Sequence, residues 1–132
     1  MARPRSDQPT PAELEVLKIL WERGPSTVRE VRQVLVQRRR PRAYTSVMSL
    51  LNVMADKGLV DREPEGRAFR YAPRSDREHT LSRLVGDLWS RAFQESASTL
   101  VSHLLEEANP SHAELDEIRS LIEAYQEQKG GA

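Results

Sequence analysis

Residues 43–58, AYTSVMSLLNVMADKG, constrain the fold of this chain more than any other stretch. Val47, Leu50, Leu51 and Met54 recur at i, i+3, i+4 and i+7, which makes one apolar helix face. The opposite face carries Thr45, Ser46, Met48, Ser49 and Asn52, all short or neutral, and no carboxylate appears before Asp56. Arg38, Arg39, Arg40 and Arg42 precede the helix, and Lys57 sits in its last turn. A helix that buries one side and offers small hydrogen-bonding groups between cations suits the major groove of DNA. Cations hold phosphates, and short polar groups let the helix approach base edges. An ordinary amphipathic core helix has the same periodicity, so the flanking segments decide.

Upstream, Thr10-Pro11-Ala12-Glu13 reads as a helix start. Thr10 caps, Pro11 fits the first helical position, and Glu13 closes a capping box. Leu14, Leu17, Leu20 and Trp21 then face a core, and Gly24-Pro25 stops the helix. Thr27 and Glu30 form a second capping box, followed by Val28, Val31, Val34 and Leu35 as a buried stripe. Pro41 ends whatever remains of this helix after the arginine run. Gly58 stops the third helix in a left-handed position. Downstream, residues 59–62 make a short strand, Pro64-Glu65-Gly66 a turn, and Ala68-Phe69-Arg70-Tyr71 an alternating strand. Three short helices and a two-stranded hairpin, with Arg67 at its tip, predict a winged helix-turn-helix. Placed just before the third helix, Arg40 and Arg42 become a phosphate clamp.

The second half repeats amphipathic helices. Ser75 and Glu78 predict a capping box before Leu81, Leu84, Val85, Leu88, Trp89 and Ala92. A break falls near Phe93, and Ser96 caps a helix whose face is Leu100, Val101, Leu104 and Leu105. Asn109-Pro110-Ser111 breaks again, and Ser111 with Glu114 opens a last helix bearing Leu115, Ile118, Leu121, Ile122 and Tyr125. Three such helices lack enough core to stand alone. Their stripes either complete a core against a second copy, the reading favoured here, or pack back on the winged helix. The expected class is mainly α with a small β-hairpin. It comprises a flexible arm (1–9), a winged helix DNA-binding domain (10–74) and a helical dimerisation domain (75–132).

Charge follows the same division. Residues 1–75 hold 15 Lys and Arg against 9 Asp and Glu; residues 76–132 hold 5 against 11. The halves therefore differ by opposite surpluses of six, and only the first invites a polyanion. The absence of cysteine excludes disulfides, thiolate nucleophiles and cysteine metal sites. No run of 18 apolar residues spans a membrane, direct membrane binding is not expected, and MARPRSDQPTP lacks the apolar segment of a secretory signal. The cytoplasm is the expected compartment. His103 with Glu106 and Glu107 has i, i+3, i+4 spacing, but a solvated helix face explains it better than a metal site. No HExxH, P-loop, GxSxG or GxGxxG occurs, so neither enzyme activity nor a cofactor is expected.

TPAELEVLKILWERGPSTVREV, AYTSVMSLLNVMADKGLV and GRAFRYAP together closely resemble the penicillinase-repressor family of winged helix-turn-helix regulators. That family includes β-lactamase and methicillin-resistance repressors and a copper-responsive branch. The resemblance spans about residues 9–125. It implies a homodimer that represses transcription from dyad-symmetric promoter DNA, with the second half as the dimerisation domain. It also implies relief by proteolysis in that half after a membrane sensor-protease, or a protease downstream of it, acts. Carried over by motif, Thr45, Ser46, Met48, Ser49 and Asn52 face the groove. Tyr44 and Lys57 lie beside the DNA backbone, and Arg67 is the wing contact. Three departures stand out. Val53 replaces a frequent arginine. His103-Leu104 takes the place of the Asn–Phe bond cut in penicillin-responsive members, which counts against a β-lactam signal and leaves the inducing signal open between β-lactam and another. The copper branch's cysteine cluster is missing. A winged helix used only for docking proteins is the rival reading; it calls for an exposed apolar patch, which the basic surplus opposes.

Overall fold

The computed structural model describes residues 8–130, so most of the expected arm lies outside the described residues. The chain runs α1 (Pro11–Arg23), β1 (Ser26–Thr27), α2 (Val28–Gln37), α3 (Tyr44–Asp56), β2 (Val60–Glu65), β3 (Ala68–Pro73) and α4 (Arg77–Leu88). One π-helical turn (Trp89–Phe93) follows, then α5 (Ala97–Ala108) and α6 (His112–Gly130). It divides into two packed units, the first ending at Gly86 and the second beginning at Asp87. Most of α4 thus lies in the first unit, beyond the 74/75 boundary drawn from the sequence.

Both capping boxes form. Thr10 Oγ1 accepts from Glu13 N at 3.2 Å while Glu13 Oε1 accepts from Thr10 N at 2.9 Å. Thr27 and Glu30 repeat the exchange at 3.2 and 2.9 Å. Each box satisfies two backbone donors that a helix start otherwise leaves open. The cap before α4 differs from expectation: Asp76, not Ser75, accepts the His79 N–H, at 2.7 Å. The Ser75 carbonyl instead accepts from Trp21 Nε1 at 3.0 Å, which draws this residue out of the capping position. Ser96 and Ser111 cap α5 and α6 as expected.

Val16, Leu17, Ile19 and Leu20 of α1, Val28, Val31 and Leu35 of α2, and Val47, Leu51 and Met54 of α3 form the core with Val60 and Tyr71. Burying one such side chain contributes roughly 1.5–3 kcal/mol, several times the spread of helix propensities. α1 buries a wider arc than its expected stripe because α2, α3 and β3 all pack on it; Leu14 is only half-buried. The expected two-stranded hairpin is a three-stranded antiparallel sheet in the order β1-β3-β2. Ser26 pairs with Tyr71 and Thr27 with Arg70. Two residues carry no readable alternation, which is why β1 is silent in the sequence. At the wing tip Glu65 pairs with Ala68, and Gly66 supplies the positive φ, 61°, that a two-residue hairpin loop demands.

The arginine run ends α2 sooner than Pro41 requires. Arg39 N donates to Val36 O at 3.0 Å and Arg40 N to Leu35 O at 2.9 Å, the paired bonds of a Schellman termination. α3 ends the same way, with Gly58 and Leu59 donating to Ala55 and Met54. Gly58 holds the left-handed position there at φ 79°, but in α2 that position belongs to Arg39 at φ 59°. A side chain in this conformation costs about 1–2 kcal/mol. Arg39→Gly is therefore expected to raise stability by about 1 kcal/mol, visible as a melting midpoint about 4–8 °C higher. A midpoint at or below the parent's would show that Arg39 is unstrained.

Candidate nucleic-acid interface

α3 buries Val47, Leu51 and Met54 and exposes Tyr44, Thr45, Ser46, Met48, Ser49 and Val53. Its apolar periodicity leaves that outer face free. No side chain caps the helix, since Ala43 stands at the N-cap. Its first N–H groups remain open at the positive end of the helix dipole, where a phosphate is favoured. Arg42 lines one shallow depression with Thr45, Ser46, Ser49 and Val53. The carbonyl of Arg42 accepts from Arg32 Nε at 3.1 Å, which fixes the α2–α3 connection. Among the described residues the guanidinium groups of Arg42 and Arg67 have no partner, and both residues are exposed.

Several other cations of the first unit are engaged to different degrees. Arg38 pairs with Glu22 of α1. Arg40 Nε lies 3.6 Å from Glu15 Oε1, a buried oxygen with no hydrogen bond of its own, although the arginine side chain is 71% exposed. On the wing, Arg70 binds Glu65 through two bonds of 2.9 Å and reaches Glu30 at 3.3 Å. Arg74 pairs with Asp61. These arginines hold the carboxyls of Glu65 and Asp61 below their ordinary range. Glu30 also lies below its ordinary 4.5, chiefly through the Thr27 backbone N–H and then through Arg23.

Lys57 does not join the exposed cations. Its ammonium is 2.7 Å from Glu13 Oε1 and donates to the Gln8 carbonyl at 3.1 Å, with the side chain only 7% exposed. The placement beside a DNA backbone is corrected on that point: the buried carboxylate of the first capping box claims the charge. Asn52 is half-buried, and its Oδ1 accepts from Arg62 and Tyr71. Arg62, unremarked in the sequence, joins α3 to the wing together with Tyr71. Only the strand register, which sets Arg62 opposite Tyr71, reveals it.

A profile of the family described as Penicillinase repressor matches residues 9–124. The chain belongs to the penicillinase repressor family. It is 36% identical over 104 residues to the transcriptional regulator BlaI of Mycobacterium tuberculosis, covering 77% of this chain and 75% of that protein. It is 25% identical over 118 residues to the penicillinase repressor of Bacillus licheniformis, covering 89% and 91%. The solved DNA-binding domain of the repressor BlaI aligns at 28% identity with a TM-score of 0.49, covering 57% of this chain and 90% of that one.

The second unit of this family member differs from the first in what it leaves open. No residue of α5 or α6 is buried. Leu88, Val101, Leu104, Leu121, Ile122 and Tyr125 are exposed there, and Val85 is exposed at the end of the first unit. Leu81, Leu84, Trp89, Leu100, Leu105, Leu115 and Ile118 are half-buried. The Phe93 and His103 rings lie 6.0 Å apart. Among the described residues no three His, Asp or Glu are placed to hold a metal ion, and no helix is long and apolar enough to cross a membrane.

Proposed function

We propose that this chain is a transcriptional repressor that binds duplex DNA through α3 and the wing, as a homodimer on a dyad-symmetric operator in the cytoplasm. The observation that carries the reading is the outer face of α3. Thr45, Ser46 and Ser49 are exposed there beside unpartnered Arg42, and Arg67 projects from the wing tip. Exposed Met48 and Tyr44 add apolar contact of the kind that a thymine methyl accepts. The relatives bear the names of regulators and repressors, and the work proposed here is binding rather than catalysis.

The exposed leucines of the second unit support the dimer, because a small helical unit with no buried residue among those described needs a partner to gain a core. Relief by proteolysis in that unit, after a membrane sensor-protease or its downstream protease, completes the reading. His103 and Leu104 are both exposed on α5, and a helix with so little packing opens locally at small cost.

The test is a salt titration on a duplex pool. Arg42 and Arg67 from two protomers neutralise at least four phosphates, so log affinity should fall against log salt with a slope of about −3.6 or steeper. Salt-independent binding, or none to any duplex, would refute the reading.

A further inference from the structure

Asn52 stands on α3 with its side-chain oxygen turned to the wing. That oxygen accepts from the Arg62 guanidinium at 2.9 Å and from the Tyr71 hydroxyl at 3.0 Å. Chemistry fixes the orientation of the amide: a guanidinium only donates, so the atom facing it must be the oxygen. A carbonyl oxygen has two lone pairs, and both are taken. The free end of Asn52 is therefore its NH2 group. The partners are themselves held. The Arg62 guanidinium lies 4.8 Å from the centre of the Phe69 ring, and Tyr71 is 1% exposed within the core.

We propose that Arg62 and Tyr71 are positioning residues that lock Asn52 as a donor-only reader, so that the base beneath it is selected as guanine and adenine is refused. An asparagine recognises adenine by donating to N7 while accepting from the N6 amino group. The accepting half of that contact is occupied by the wing. Guanine presents two adjacent acceptors, N7 and O6, which match the two hydrogens that remain. The wing thereby sets base choice through the recognition helix without touching that base. This inference rests on the DNA reading of α3 proposed above.

The experiment selects sites from a randomised duplex pool with the full chain, the parent being compared with Arg62→Met, Tyr71→Phe, Asn52→Ala and the Arg62→Met/Asn52→Ala pair. Arg62 is exposed and Phe preserves the buried ring of Tyr71, so folding should persist; a thermal melt checks each variant. Arg62→Met should let one guanine position accept adenine, with the ratio of the two shifting on the order of tenfold. Tyr71→Phe should shift it in the same direction by less. The salt slope should not move, because no phosphate contact is lost. In the Asn52→Ala background the effect of Arg62→Met should vanish. An Arg62→Met variant weakened equally on all sequences, with a slope shallower by about 0.9, would make Arg62 a phosphate contact and overturn the proposal. So would unchanged base choice, or a shift that persists without Asn52. A parent that binds no duplex overturns the DNA reading itself and this inference with it.

Discussion

Lys57→Met will destabilise the first unit by about 3–5 kcal/mol at neutral pH. Glu13 is 3% exposed, and its Oε1 serves both the α1 capping box and the Lys57 ammonium. Methionine fills similar volume but leaves a buried carboxylate without its counter-charge, and removing one member of such a pair costs far more than removing both. The double variant Glu13→Gln/Lys57→Met should therefore recover most of the loss, since Gln still accepts from the Thr10 N–H. Thermal melts of the parent and these variants measure it, at about 4–8 °C per kcal/mol. DNA affinity per folded molecule and its salt slope should stay as in the parent. A Lys57→Met protein that melts with the parent but binds DNA with a shallower slope would restore Lys57 to the interface.

Leu104→Asp separates a lone chain from an assembled one. Leu104 is 56% exposed on α5. In a monomer the substitution adds a charge to a wet surface and changes stability by no more than about 0.5 kcal/mol. Covered by a second copy, it buries an unpaired carboxylate at a cost of several kcal/mol. We expect monomers in sedimentation and an unchanged melt of the winged helix. Operator affinity should fall on the order of 10²-fold or more, as the second half-site ceases to be held nearby. A dimeric variant, or a monomer that binds operator as tightly as the parent, would remove the second unit from the proposed role.

The residues explain which features could be read in advance. Capping boxes at Thr10 and Thr27 involve partners three positions apart, and the outward side of α3 follows from spacing alone. Stops at Gly24, Gly58 and Asn109 are equally local. The failures involve distance. Lys57 meets Glu13 across 44 positions, so a cation at the end of a basic helix turns inward without local warning. Asn52 meets Arg62 and Tyr71 only after β2 and β3 pair. β1 is two residues long and exists because β3 offers it an edge. Asp76 displaces Ser75 as a cap because Trp21, 54 positions earlier than Ser75, claims that residue's carbonyl. The turn at Arg39 departs from the rule that glycine or asparagine takes the left-handed site, and composition argues against it.

On the proposed DNA reading, the pairing of Arg38 with Glu22, and of Arg40 with Glu15, has a consequence for how the protein would move through a genome. These arginines carry their own counterions, so approaching a random stretch of DNA releases fewer small ions than the arginine count suggests. Weak, sequence-blind attraction depends on that release. On the DNA reading proposed above, the carboxylates of α1 would shorten the time spent on irrelevant DNA while leaving Arg42 and Arg67 available to it. Since millions of wrong sites compete with each right one, a repressor gains as much by releasing the former quickly as by gripping the latter.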